Sequence, residues 1–253
     1  MDYSPRHGRI LSLLNDEGTI GVGELAQRLD VSVETVRRDI KALAGRGDIV
    51  RMHGVIGLPS AISEAPFERR MRENRQAKEA IARLAAATIR DGESIMLDTG
   101  TTTSILARAL LGHRRLTVVT NSSDIARTLA TLNGNKVYMA GGELRSDSGA
   151  ALGFSAIEFV NRFSVDHAVI SAGAVNAVTG VLDYDLEEAQ FGQAVLARGR
   201  RRVVVTDASK FGQKGLVRVC ALSDFDELVV NRAPPDDLAD ALALAEVAVK
   251  VCA

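Results

Sequence analysis

The chain has 253 residues, 46% of them hydrophobic and 25% charged, with a formal net charge of -1. This globular balance excludes a disordered chain, no apolar run approaches the ~18 residues that cross a bilayer, and the polar start Met1-Asp2-Tyr3-Ser4-Pro5-Arg6 lacks the apolar core of a signal peptide. Two cysteines (Cys220 and Cys252), four histidines without ligand-like spacing and the lack of Trp argue against a disulfide scaffold, a metal site, a cofactor and a base-stacking platform, and the cysteine usage fits a reducing cytoplasm.

In chain order, residues 1–57 read as short helices followed by a hairpin. Ile10, Leu13 and Leu14 share one helical face, which Asn15-Asp16-Glu17-Gly18 ends. Ile20 and Val22 make a brief extended piece. Leu25, Ala26 and Leu29 form a second stripe, closed by the turn Asp30-Val31. Ser32 is suited to cap a third helix, because its hydroxyl can accept a free first-turn amide. Glu34 then lies where a negative charge suits the helix dipole. Val36, Ile40 and Leu43 face inward, Gly45 and Gly47 end the helix, and Ile49, Val50 and Met52 before His53-Gly54 predict a small hairpin.

Two helices joined by a few residues, the second polar near its start, form the helix-turn-helix pattern. Thr35, Arg37 and Arg38 would project from the third helix, where arginine can bond guanine or phosphate, while Lys41, Arg46 and Arg51 could hold the DNA backbone. The alternative is a plain three-helix bundle with a solvated Arg-Arg face. Residues 1–57 carry eight Lys/Arg against eight Asp/Glu, so any positive field must come from placement.

Gly57-Leu58-Pro59-Ser60-Ala61-Ile62-Ser63-Glu64-Ala65-Pro66 has two prolines and small residues, which places a linker over 58–66. Residues 67–89 read as one long basic helix, with either a solvated face or one ligand contact at Lys78.

From Ser94 onward short apolar runs alternate with helical segments. Strands are expected at 94–97, 116–119, 136–139, 167–171, 202–205, 228–230 and 247–251, and helices at 102–111, 123–132, 153–162, 185–198 and 235–245. That alternation predicts an α/β domain over 67–253 with a mainly parallel sheet, whose ligands bind at strand carboxyl ends. Asp98-Thr99-Gly100-Thr101-Thr102-Thr103 follows a strand and opens a helix, so it offers hydroxyls and free amides to an anion. It is not a Walker loop. Asn121 lies in the next strand-end loop, Thr120-Asn121-Ser122-Ser123. Gly141-Gly142-Glu143-Leu144-Arg145 offers close backbone approach at Gly142 and a bidentate cation at Arg145. Asp183-Tyr184-Asp185-Leu186-Glu187-Glu188 is an acidic cluster that can accept bonds from ligand hydroxyls, or a helix start that favours acids. Asp207-Ala208-Ser209-Lys210-Phe211-Gly212 supplies Lys210 as a point charge. Together these loops suggest a small phosphorylated polyol, with Asp98, Thr99, Gly100, Thr101 and Thr102 at the phosphate, Arg145 and Lys210 supplying charge, and Asp183 and Asp185 at hydroxyls.

Residues 25–43, Leu-Ala-Gln-Arg-Leu-Asp-Val-Ser-Val-Glu-Thr-Val-Arg-Arg-Asp-Ile-Lys-Ala-Leu, resemble the signature of the DeoR-type bacterial repressor family. Gly47-Asp48-Ile49-Val50-Arg51-Met52-His53-Gly54 resembles its wing, with Val55 where most relatives carry a second glycine. The remainder resembles the family's sensor, a fold relative of ribose-5-phosphate isomerase. Ala140-Gly141-Gly142-Glu143-Leu144-Arg145-Ser146, Leu182-Asp183-Tyr184-Asp185, Ser209-Lys210-Phe211-Gly212 and Ala233-Pro234-Pro235 resemble most the branch that represses glycerol-3-phosphate regulons. The resemblance implies a cytoplasmic homo-oligomer, dimer or tetramer, that represses a carbohydrate or polyol catabolic operon. It implies double-stranded operator DNA held by Ser32, Thr35, Arg37, Arg38, Lys41, Arg51 and His53, and release by a phosphorylated metabolite, first of all glycerol 3-phosphate. The competing reading is a sugar-phosphate isomerase on the same fold. The stretch Ser171-Ala172-Gly173-Ala174-Val175-Asn176 lacks the lysine that the isomerases carry, although Glu187 or Glu188 could serve as a base, so no catalytic residue is assigned.

Overall fold

A computed structural model describes residues 4–17, 19–52, 55–58, 65–131 and 133–252. The chain divides into two compact units between Ala65 and Pro66. Among the described residues no helix is long and apolar enough to cross a membrane.

In the first unit, α1 (Pro5–Glu17) starts with proline at its first position, and the Ser4 hydroxyl accepts the His7 amide at 3.2 Å. β1 (Thr19–Gly21) leads into α2 (Val22–Leu29), which Asp30 closes in the left-handed region at φ 53°. α3 (Val33–Gly45) follows, and then β2 (Val50–Met52) and β3 (Val55–Gly57). The strands form an antiparallel sheet in the order β1-β3-β2. Ile10, Leu14, Leu25, Val36, Ile40, Leu43, Ile49 and Ile56 close one core, the apolar face expected from their spacing. Asp39 is buried on α3, and Arg6 and His7 of α1 bond its carboxylate. The hydrogen bond from Arg6 holds that carboxyl below its ordinary range.

The second unit opens with two helices where the sequence reads as one. α4 (Phe67–Arg72) and α5 (Arg75–Ala86) are separated at Glu73 and Asn74. Glu73 is extended at ψ 136°, and Asn74 is left-handed at φ 51°, a region asparagine tolerates better than most residues. Helical periodicity cannot reveal this break, because its cause lies 133 residues away. The Asn74 amide donates to Asp207 Oδ1 and Ser209 Oγ, both at 3.1 Å.

The rest is a seven-stranded sheet, parallel in every pairing, built from β4 (Ser94–Leu97), β5 (Thr117–Thr120), β6 (Lys136–Met139), β7 (Val165–Ser171), β10 (Gly199–Val205), β12 (Glu227–Val230) and β13 (Ala248–Val251). Its order is β13-β12-β10-β7-β4-β5-β6. Successive residues point to opposite faces. Ile95 and Leu97, Val118, Val203 and Val205 thus pack on one core, with α5, α6 (Thr101–Ala109) and α7 (Ser123–Leu129). Met96, Val119, Val204, Leu228 and Val230 pack on the other, with α8 (Phe154–Val160), α9 (Leu186–Leu196) and α10 (Asp236–Leu244). A second, antiparallel sheet was not foreseen: β8 (Ala174–Asn176), β9 (Gly180–Asp183) and β11 (Val217–Cys220), in the order β11-β9-β8. These strands are short: β8 and β9 form a tight hairpin, and β11 joins β9 from about 35 residues further on, which leaves little local signal.

Candidate functional site

On the first unit, Ser32 caps α3 as expected: its hydroxyl accepts the Thr35 amide at 3.2 Å and lies 2.9 Å from the Thr35 hydroxyl. Capping holds the start of the helix in register, so that the next turn presents fixed side chains. Arg37, 65% exposed, contacts Glu34 at 3.5 Å, and Arg38 and Lys41 are exposed beside it. An ion pair this open contributes little, so the guanidinium remains available. Arg51 reaches from β2 to the Arg37 carbonyl at 3.4 Å and ties the sheet to the helix. These four cations border a groove of about 780 Å³, with the buried side chains of Ile40 and Ile56 also lining it. Four of the unit's eight cations thus share one groove with Glu34, so placement rather than net charge sets the local field. His53 lies outside the described residues, as do positions 59–64 of the expected linker.

On the second unit, the loops after β4 and β7 meet. Asp98 directly follows β4, and its Oδ2 accepts the amide at 2.9 Å and the hydroxyl at 3.3 Å of Ser171, the last residue of β7. Gly100 lies so close to Ser171 that an added Cβ would be 1.9 Å from its Oγ. Only glycine permits this approach, a steric requirement rather than one of backbone angle. Gly100 also starts α6 without a side-chain cap, which leaves the amides of the first turn open to an anion. Thr103 turns its hydroxyl back to the carbonyls of Asp98 and Gly100, both at 3.1 Å, and fixes the loop. Thr101 and Thr102 are buried in the same turn.

Burial pushes the Asp98 carboxyl from about 3.8 up to about 7, against the bonds from Ser171 and helped by the charge of Asp183. Its Oδ1 has no hydrogen-bond partner, nor have the buried Oγ1 of Thr99 and Oδ1 of Asn121. Orphaned polar atoms are costly inside a protein, and these three lie just after strand carboxyl ends, where folds of this class bind ligands. Asn121 otherwise braces the neighbouring loop: its Nδ2 donates to the Ala151 carbonyl, and its own carbonyl accepts the Ala151 amide, both at 2.9 Å. Gly142 has φ 147°, in the region that favours glycine, and opens the hairpin in which Leu144 bridges Ala151.

The expected residues do not form one cluster. Arg145 and Asp185, expected at opposite ends of a ligand, bond each other at 2.8 Å, and Arg145 also meets Glu187 at 3.2 Å and Glu188 at 3.3 Å. Asp185 is in addition the cap of α9, accepting the amides of Glu187 and Glu188. Burial raises its pKa, but Arg145 and these amides outweigh that and keep it low. Lys78 and Lys210 come together instead. Lys78 is buried on α5, donates to the Arg70 carbonyl and feels the charges of Asp207 and Lys210; burial lowers its pKa. Asp207 caps the short turn Ala208–Lys210 and receives Asn74, so the loop carrying Lys210 is clamped to the α4–α5 break. Ser171 and Asn74 are structural contributors that sequence reading missed. Ser171 enters the sequence reading only as the start of the stretch 171–176, with no role of its own, and each residue acts through a partner more than 70 residues away. Among the described residues no group of three or more His, Cys, Asp or Glu is disposed to hold a metal ion.

A capped helix with an open basic face, joined in one chain to an α/β unit with a prepared strand-end loop, is the architecture of a ligand-responsive helix-turn-helix regulator. Residues 6–61 match the DeoR-like helix-turn-helix domain, and residues 73–232 match the DeoR C terminal sensor domain. The chain belongs to the DeoR family. It is 31% identical over 252 residues to the glycerol-3-phosphate regulon repressor of Escherichia coli, covering 100% of both chains. It is 36% identical to the HTH-type transcriptional repressor CsqR of the same organism, over 92% of this chain and 89% of that one. It is also 36% identical to the glycerol-3-phosphate regulon repressor of Haemophilus influenzae, over 92% of this chain and 91% of that one. Among solved structures, ribose 5-phosphate isomerase A from Methanocaldococcus jannaschii aligns at a TM-score of 0.42 and 19% identity, over 56% of each chain.

Proposed function

We propose that this chain is a transcriptional repressor that binds an operator through α3 and the wing and is released by a phosphorylated polyol, with glycerol 3-phosphate the first choice. The DNA-binding module is taken as residues 1–57, the linker as 58–66 and the sensor as 67–253. Thr35, Arg37 and Arg38 read bases from the Ser32-capped helix, and Lys41, Arg51 and His53 hold the backbone. In the sensor, the free amides at the start of α6 hold the phosphate, with Lys210 and Lys78 as the cations. The observation that carries the reading is the set of orphaned buried polar atoms beside those amides. The names of the relatives favour glycerol 3-phosphate over other sugar phosphates. Two copies are required for tight binding, because one small module without net charge gains most of its affinity from a linked second one.

A ligand alters DNA affinity only through a difference between two sensor states, and coupling of ~1–3 kcal/mol gives ~5–150-fold release. The test is titration of an operator complex, on a duplex selected from random sequence, with glycerol 3-phosphate and with glycerol. The phosphate is expected to release the parent, and Lys210→Ala is expected to keep DNA binding but need far more ligand. Equal responses of the two proteins, or release by glycerol itself, would refute the phosphate site.

A further inference from the structure

A small, partly open pocket lies behind Thr99, on the side of the sheet away from α5, where α9 and the antiparallel sheet pack. Asp98, Thr99, Ser171, Asp183 and Glu188 line it, and Phe191 and Val219 are among its apolar walls. Its free space is about 10 Å³ measured for the centre of a water molecule, which is room for about one water-sized group. A sugar ring does not fit, but a single hydroxyl does.

The wall chemistry narrows the occupant. Asp183 Oδ1 accepts the amides of Tyr184 at 2.6 Å and Asp185 at 3.1 Å, and Glu188 accepts from Arg145 at 3.3 Å. Ser171 occupies one oxygen of Asp98. Two further oxygens of the lining residues, Asp98 Oδ1 and Thr99 Oγ1, are buried and have no hydrogen-bond partner, on residues only 9% and 8% exposed. A carboxylate oxygen wants a donor, and a threonine hydroxyl can donate as well as accept. A hydroxyl satisfies both at once. Above about pH 7, where Asp98 is ionised, a keto oxygen, which only accepts, leaves the carboxylate bare, and a phosphate or carboxylate is repelled by the acids.

We propose that this cavity takes one hydroxyl of the effector, which donates to Asp98 Oδ1 and accepts from Thr99 Oγ1. The inference rests on the preceding reading of the α6 start as the phosphate site. Thr99 directly precedes the Gly100 cap, so one loop serves both ends of the ligand, and the ligand is a short hydroxylated phosphate. Asp98 and Thr99 thereby become specificity residues rather than phosphate ligands.

The experiment is calorimetric titration of the full chain at pH 8, where Asp98 is ionised, with glycerol 3-phosphate, with the two propanediol phosphates that each lack one of its hydroxyls, and with inorganic phosphate. Removing the hydroxyl that enters the cavity is expected to weaken binding ~10- to 100-fold, and removing the other much less, because only the first leaves a buried carboxylate unpaired. Asp98→Asn and Thr99→Val are each expected to shrink that discrimination to within a few-fold, which a general loss of fold would not do; thermal melting of both variants confirms folding. If both propanediol phosphates bind as well as glycerol 3-phosphate while phosphate compounds still bind, the hydroxyl pocket is wrong and the anion site stands. Discrimination that persists undiminished in both variants also overturns it. If no phosphate compound binds, inorganic phosphate included, the anion site itself falls and the pocket with it.

Discussion

Asp39 in the first unit and Asp98 in the second are both buried carboxylates, yet their surroundings are opposite. Arg6 and His7 meet Asp39, and its pKa is lowered. Asp98 has Ser171 on one oxygen and nothing on the other, and its pKa is raised to about 7. The first unit meets its buried carboxylate from two sides and turns Arg37 and Arg38 outward. The second keeps polar groups inward and incompletely paired. A carboxylate paired from two sides holds helix against helix, whereas one with a bare oxygen leaves a hydrogen bond that a small ligand can complete. The two carboxylates therefore act on stability in opposite directions. Asp39 contributes stability above the ordinary carboxylate pKa, and this is lost as pH falls through its lower folded value. Asp98 binds its proton more tightly when folded, so it costs stability as pH rises from about 4 to about 7.

The largest expected effect breaks this contrast at Asp98. Asp98→Asn keeps an acceptor for Ser171 and removes the charge. It is expected to leave stability unchanged below about pH 4 and to raise it, by at most about 4 kcal/mol, above pH 7. Thermal melts from pH 4 to pH 8 check this, and a constant offset across that range would contradict a titrating Asp98.

Next come the outward groups. Arg37→Ala and Arg38→Ala are each expected to leave the melting temperature unchanged, because both side chains are exposed. A variant that removes a base contact should lose ~1–3 kcal/mol on a selected operator and relax specificity there, whereas a phosphate contact weakens all sequences alike. Binding measured on operator and on random duplex separates the two roles.

Gly100→Ala sharpens the inward half of the comparison. The new methyl meets Ser171, so the sensor is expected to lose ~1–3 kcal/mol of stability and its response to ligand. The pair Gly100→Ala with Ser171→Gly should recover part of both, since it removes the oxygen and Cβ that clash. Failure to recover either would show that the contact is not the constraint.

The smallest effect is at the cap. Ser32→Ala is expected to cost ~1 kcal/mol, read as a lower denaturation midpoint of the first unit, with weaker operator binding and an unaltered response to ligand. An altered ligand response would mean that the two units are less independent than their separate cores imply.

Much of the helix-turn-helix unit was legible because its determinants are local. A cap, a 3.6-residue apolar stripe and exposed arginines all lie within residues 32–43, and each can be read from its neighbours in sequence. The alternation of strands and helices, and the strand-end loops at 98–103, 120–123 and 207–212, were legible for the same reason. What the loops do to one another was not. Arg145 reads as an anion ligand until the fold brings the start of α9 against it. The basic segment 67–89 reads as one helix until Asp207 and Ser209 hold Asn74 in a left-handed turn.

By itself, then, the order of amino acids determined the capped recognition helix, the parallel α/β class and which loops carry polar chemistry, because period, capping and turn preference act over a few residues. Only the tertiary structure decided which polar atoms are satisfied. The partner of Asp98 is 73 residues away at Ser171, and the pocket beside it is lined by residues from β7, β9, α9 and β11. Whether a buried group is paired depends on distance in space, and the desolvation that raises Asp98 and leaves Thr99 without a partner exists only once those distant segments have packed together.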